Sequence, residues 1–190
     1  MSINVERNEL SKKLLTFFVA VITLSMVNSY ADNTGHHDMK DHAMDQQMGH
    51  EGKIALDAKG KKEVTFALKQ YEGLHAAFFN YAAASVEENA KKLNQALAKI
   101  SNPEVAKLLT FSRTKLGEIK QGNSREDNDQ AYHLVSMALI HVMQKYDVGG
   151  DYQAYYCPMV KKKWIQNVAL AKEVENPYAP NMPHCGSMTN

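Results

Sequence analysis

An apolar rhythm of three- and four-residue steps runs from Val64 to Val142 and stops at Gly149-Gly150. It constrains the fold more than any other feature, because that spacing places side chains on one face of a helix. Val64, Ala67, Tyr71, Leu74, Phe78 and Tyr81 form the first stripe and predict a helix from about Lys61. Ser85 followed by Glu88 reads as a capping box, opening a second helix with Val86, Ala90, Leu93, Leu97 and Ile100 on its inner face. Asn102-Pro103 supplies a cap and a tolerated proline for a third, running to about Lys120. Ser124 caps a fourth, whose acidic first turn (Glu126, Asp127) complements the helix dipole. That helix is expected to reach Asp147 with Leu134, Met137, Ala138, His141 and Val142 facing inward. Short connections between the four predict an all-α fold, a four-helix up-down bundle.

Two further segments flank this helical region. Arg7, Lys12 and Lys13 precede an apolar run from Leu14 to Val27, and Ser29-Tyr30-Ala31 offers small residues at a cleavage position. Residues 1–31 therefore read as a signal peptide cleaved after Ala31, which predicts a periplasmic protein with no stable membrane insertion. The run is short for a membrane span. Residues 32–55 are polar, lack an apolar period and predict a disordered arm. The domain then occupies 56–190, ending in a segment, 151–190, of different texture. There Tyr152, Ala154 and Tyr156 alternate, as do Val160 and Trp164 across three lysines, predicting two short strands or extended pieces appended to the bundle. Asn176 to Gly186 is expected to return as a proline-rich loop, and the lysines to form a solvated turn.

Both cysteines of the chain lie in that last segment. One sits in Cys157-Pro158-Met159 and the other in Met182-Pro183-His184-Cys185. Thiolate and thioether are soft donors and suit Cu(I) better than hard cations. Cys157, Met159, Met182 and Cys185, with His184, are the candidate metal ligands, for copper or the chemically similar Ag(I). A lone cysteine pair in an exported chain also suits a disulfide, Cys157–Cys185, which would stabilise the fold by roughly 3–4 kcal/mol. The neighbouring methionines are what a staple does not need. These residues leave both readings open.

The arm is a second, weaker metal candidate. His36, His37, His42 and His50 alternate with Met39, Met44 and Met48, a mixture able to hold Cu(I) or Cu(II) in several loose geometries. Met137 and His141, four apart on the fourth helix, with His75 on the first, read instead as core residues. Trp164 is expected to pack the final segment onto the bundle.

Several classes are excluded or disfavoured. Residues 1–31 carry three basic and two acidic side chains, so the mature chain is close to neutral and has no basic stripe for nucleic acid. The chain has no Cys-x-x-Cys, so paired zinc-finger motifs and covalent c-type haem are out. The prolines and methionines around the thiols suggest ligation rather than nucleophilic catalysis, so no enzymatic activity is expected.

Tyr156-Cys157-Pro158-Met159, Trp164, Asn176-Pro177-Tyr178 and Met182-x-x-Cys185-Gly186 together resemble the signature of a bacterial domain family of unknown function. That family occurs as a stand-alone exported protein and as a C-terminal extension of membrane-fusion subunits in Cus-type heavy-metal efflux systems. The resemblance spans about residues 60–188, and its specific part lies within 156–186. It implies a helical bundle ending in a Cys/Met site, and a role in copper capture, buffering or delivery. The implied partner is a heavy-metal efflux membrane-fusion component or another periplasmic copper protein. Cys157, Met159, Met182 and Cys185 match the signature. Pro180 and Asn181 depart from it where a glycine is common, His184 is not expected throughout the family, and the arm lies outside it.

Overall fold

The computed structural model describes residues 52–189. The expected signal peptide, and the expected arm except for its last few residues, fall outside them. Ile54 and Ala55, assigned to the arm by sequence, are instead a short strand (β1, Ile54–Ala55) paired in parallel with β2 (Tyr146–Asp147).

Five helices follow. α1 (Ala58–Phe79) begins where the Asp57 carboxylate accepts the Gly60 N–H at 2.7 Å, which satisfies one orphan donor of the first turn. Its stripe from Val64 to Phe78 is buried, and Tyr81 lies partly buried beyond the helix end. α2 (Ala83–Leu97) starts two residues before the expected cap. Only Asn80 to Ala82 connect the two helices, so α2 begins as soon as the chain has turned, and Ser85 falls inside it, bonded by Asn89. The expected third helix is two: α3 (Pro103–Leu108) and α4 (Thr110–Glu118). They are separated at Leu109 (φ −95°, ψ 1°). Val105, Leu109, Ser112 and Leu116 are buried at helical spacing across the break, which is why the pattern reads as continuous. Asn102 caps α3 through the N–H groups of Glu104 and Val105.

α5 (Arg125–Lys145) is capped by Ser124 as expected, but its buried face is rotated from the predicted one. Tyr132, Val135, Ser136, Leu139, Val142 and Met143 are buried, whereas Met137 and His141 are exposed and Leu134 and Ala138 are only partly covered. Aromatic and polar side chains set this phase. Tyr132 stacks on Phe78 at 4.2 Å and on Tyr71 at 5.5 Å, pairs worth about 0.5–1.5 kcal/mol beyond area burial. Ser136 is tolerated in the core because its hydroxyl donates to the Tyr132 carbonyl and receives the Tyr71 hydroxyl at 2.7 Å.

The all-α four-helix bundle is therefore incorrect. The described residues are mixed α/β, with two sheets beside five helices. The main sheet has the order β4-β3-β5, all antiparallel, formed by β3 (Tyr152–Cys157), β4 (Lys162–Asn167) and β5 (Ser187–Thr189). Tyr152, Ala154 and Ile165 face the helices. Tyr155, Cys157 and Trp164 point the other way and are covered by the returning loop, so β3 is buried on both faces rather than alternating. The expected inward position at Tyr156 is only half-buried. Lys162 and Lys163 belong to β4, which leaves Lys161, at φ 55°, in the turn.

The outer edge of β4 is closed by side chains. Ile165 N–H donates to Tyr71 Oη at 3.1 Å, and Lys163 N–H donates to His133 Nδ1 at 3.2 Å. The Tyr178 hydroxyl donates to the Lys163 carbonyl at 3.0 Å. An edge strand with its polar groups occupied in this way offers no template for a further strand.

Candidate metal centre

β3 delivers Cys157 to its buried end, where the thiol is fully covered. A turn follows immediately, closed by Lys161 N–H donating to the Cys157 carbonyl at 2.8 Å. The turn begins with Pro158, and the backbone N–H groups of Met159 and Val160 that follow it favour the anionic form of the Cys157 sulfur.

The second thiol arrives from the loop that covers the sheet. Asn176 is 1% exposed and organises this segment from within. Its backbone N–H donates to the Pro183 carbonyl and its side-chain amide to the Cys185 carbonyl, each at 2.7 Å, while its Oδ1 accepts the Tyr178 N–H at 2.9 Å. Cys185 N–H closes a further turn on the Met182 carbonyl. Gly186, at φ +148°, then passes directly over Trp164, which is stacked on Tyr155 and meets Tyr178 edge-on. Trp164 Nε1 donates to Gln166 Oε1 at 3.0 Å. The tryptophan is thus the floor on which the loop lies, and it joins loop to sheet rather than to the helices.

This arrangement sets the two sulfurs 3.0 Å apart, both as free thiols, Cys157 buried and Cys185 partly exposed. Burial raises the Cys157 thiol, but the Cys185 S–H, the Val160 and Met159 N–H groups and the Asn176 amide together outweigh it and hold the group below the usual range. Cys185 is pushed up, chiefly because it donates its hydrogen to Cys157 and then by burial. The Cys185 S–H thus favours the Cys157 anion, while the same bond holds the proton on Cys185. Two thiolates sharing a tetrahedral ion at about 2.3 Å would stand about 3.8 Å apart. To hold such an ion the sulfurs would separate by a little under an ångström from their present 3.0 Å.

The other expected ligands are placed differently. Met159 is 67% exposed and Met182 is 42% exposed, so the thioethers flank the thiol pair at the surface rather than completing a buried four-sulfur cage. His184 is exposed, and its Nδ1 is engaged with the Val174 carbonyl at 2.7 Å and near the Glu173 carboxylate at 3.5 Å. Its ring is committed to the 173–174 stretch. Among the described residues, no three His, Cys, Asp or Glu side chains converge as a ligand set. His36, His37, Met39, His42, Met44, Met48 and His50 all lie outside the described residues. On the helices, His75 is buried against Tyr132, while Met137 and His141, expected in the core, are exposed.

Sequence reasoning missed Asn176 as the residue that positions the second thiol. Its signal was Asn-Pro-Tyr itself: an asparagine before proline is a turn-forming residue whose side chain caps nearby backbone N–H groups. Gly186 was likewise legible only as part of a Cys-Gly pair. No family model, no curated protein and no solved structure matches the chain.

Proposed function

We propose that this chain is an exported copper-binding protein that holds Cu(I) between Cys157 and Cys185 and performs no catalytic turnover. The observation that carries the reading is the thiol pair itself: two sulfurs 3.0 Å apart, where the end of β3 meets the loop organised by Asn176. Soft thiolate donors select Cu(I), or Ag(I), over hard cations. The exposed thioethers of Met159 and Met182 are entry ligands in this scheme, passing an ion to the thiols and receiving it back. The His/Met arm, with its seven histidines and methionines from His36 to His50, is the capture segment. The partner receiving the ion is a heavy-metal efflux membrane-fusion component or another periplasmic copper protein. The likeness of residues 156–186 to efflux-associated domains supports that role.

An anaerobic Cu(I) titration of the mature chain against a chromophoric competitor tests the reading, with free thiols counted by intact mass. One tight equivalent is expected, and it should vanish when both cysteines are replaced by serine. Unchanged affinity in that variant sinks the site.

A second reading is favoured by the same 3.0 Å separation: in an oxidising compartment the pair is joined as a disulfide, and the domain serves as a stapled interaction module. A mass two hydrogens light, together with no tight Cu(I) binding, would select it.

A further inference from the structure

The two thiols differ in access. Cys157 ends β3 in register with Lys162 and has no exposed surface. Cys185 belongs to no strand and is partly exposed, between the exposed His184 and the tightly packed Gly186. The sulfurs nonetheless touch, at 3.0 Å. A reagent arriving from solvent therefore meets the Cys185 sulfur, and only that one. No other cysteine in the chain competes for it.

Thiol–disulfide exchange is governed by which sulfur can be reached and by whether a second thiol stands close enough to complete the reaction. An S–S bond is about 2.05 Å long, so closure needs an approach of about an ångström from the reduced pair. A disulfide with both sulfurs out of reach is inert to exchange, whereas one with an exposed sulfur is labile. Here one sulfur is open and its partner is covered. That combination belongs to a bond that can be opened, from one side.

We propose that Cys157 and Cys185 form an exchangeable disulfide, closed and opened by small disulfides and thiols that react at Cys185 alone, with Cys157 as the resolving thiol. In closing, Cys185 gives up its proton and its sulfur attacks one sulfur of a reagent R–S–S–R. The reagent S–S bond breaks, Cys185–S–S–R forms, and the first thiolate leaves. Cys157 then loses its proton and attacks the Cys185 sulfur, forming the Cys157–Cys185 bond and expelling the second thiolate. The two released protons end on the two leaving groups. Two protein thiols and one R–S–S–R thus give one protein disulfide and two R–SH, with two electrons passing to the reagent. Opening is the reverse: a thiolate attacks Cys185 and Cys157 departs.

Closure also removes both thiolates that Cu(I) would use, so exchange decides whether the site can load. This consequence rests on the copper reading above. The exchange chemistry does not.

The test treats the reduced, metal-free mature chain with oxidised glutathione under anaerobic conditions, quenches with acid at intervals and maps the adduct by peptide mass. Wild type should pass through a glutathione adduct on Cys185 and finish as the Cys157–Cys185 disulfide. Cys157→Ser should stop at the Cys185 adduct, and Cys185→Ser should react more slowly by about tenfold or more. Excess reduced glutathione, without denaturant, should return the oxidised wild type to two free thiols. An adduct on Cys157 in wild type overturns the proposal, and needs no variant to fold. So do equal rates in the two single variants, or an oxidised pair that resists reduced glutathione. One equivalent of Cu(I) loaded beforehand should slow adduct formation by about tenfold or more. Unslowed exchange in that arm would sink the copper link and leave the exchange itself standing.

Discussion

The side-chain amide of Asn176 donates to the carbonyl oxygen of Cys185 across 2.7 Å, inside a loop from which Asn176 itself is almost wholly hidden. The bond is local in sequence, nine residues, yet its consequence is tertiary. It fixes the Cys185 backbone over the end of β3, and so decides that the second thiol meets the first.

Replacing Asn176 with alanine removes that donor and also strands the Tyr178 N–H, which uses Asn176 Oδ1. Each buried group left unpaired costs about 1–3 kcal/mol. The expected loss is about 2 kcal/mol or more in urea unfolding, accompanied by weaker Cu(I) binding. A variant as stable as the wild type would show that the loop is held by other contacts.

Gly186→Ala should disturb the single tryptophan. A Cβ at this position would stand 2.6 Å from Trp164 Cη2 and 3.2 Å from the Tyr156 carbonyl, and φ +148° is strained for any L side chain. Trp164 is the only tryptophan in the chain and is fully buried, so its emission reports the packing directly. A red-shifted emission and a destabilisation of about 2 kcal/mol are expected, the range for strain plus overpacking. Wild-type fluorescence in the variant would refute the close contact.

Met159→Leu and Met182→Leu should leave equilibrium Cu(I) affinity within about threefold of wild type, or about 0.7 kcal/mol. Both side chains are largely exposed and lie outside the thiol pair. Their effect is expected on the rates of copper exchange, measured by stopped-flow transfer from a chromophoric donor. A loss of affinity comparable to that of a cysteine variant would restore the four-sulfur cage.

Asp129 should make stability fall as pH rises. Burial pushes its carboxyl up to about 6, against the opposing pull of Arg125 and Lys162. Its Oδ1 has no partner, and Arg125 Nε stands 3.7 Å from Oδ2. The folded state therefore binds this proton more tightly than the unfolded chain. The contribution is fully present below about pH 4 and is lost as pH rises through about 6. Asp129→Asn cannot ionise, so its stability relative to wild type should improve between pH 4 and pH 7 by on the order of 2 kcal/mol. Parallel pH profiles for the two proteins would contradict this.

Much of the helical architecture was written in the order of apolar residues. The stripes of α1 and α2 can be read directly because Val64 to Phe78 and Val86 to Ile100 are buried almost without exception. The caps at Asn102 and Ser124 were equally legible, since each works through a side chain only two or three residues from its partner. The reading failed where burial is carried by other chemistry. The phase of α5 is set by Tyr132 and Ser136, whose hydroxyls find partners on α1 and within α5, so an apolar count chose Met137 and His141 instead. The break at Leu109 left no mark in a spacing that stays helical across it.

Sequence alone determined which groups could do soft-metal chemistry: both cysteines, each with a methionine nearby, fall in one proline-stiffened segment. It could not determine which of those groups meet. Cys157 and Cys185 are separated by 28 residues, and a strand, a turn, β4 and the Asn176 loop must all close before their sulfurs stand 3.0 Å apart. Met159, Met182 and His184 are as near in sequence but are turned to the surface, because the backbone turns that bring the thiols inward direct these neighbours outward. The same is true of His75, an unremarkable helix residue in sequence. Only the packing of α1 against Tyr132, with Glu175 arriving from the far end of the chain, leaves its ring nitrogen facing a carboxylate. Local patterns specify elements because the interactions that form them are local; a site assembled from distant segments exists only once the hydrophobic core has fixed where those segments lie.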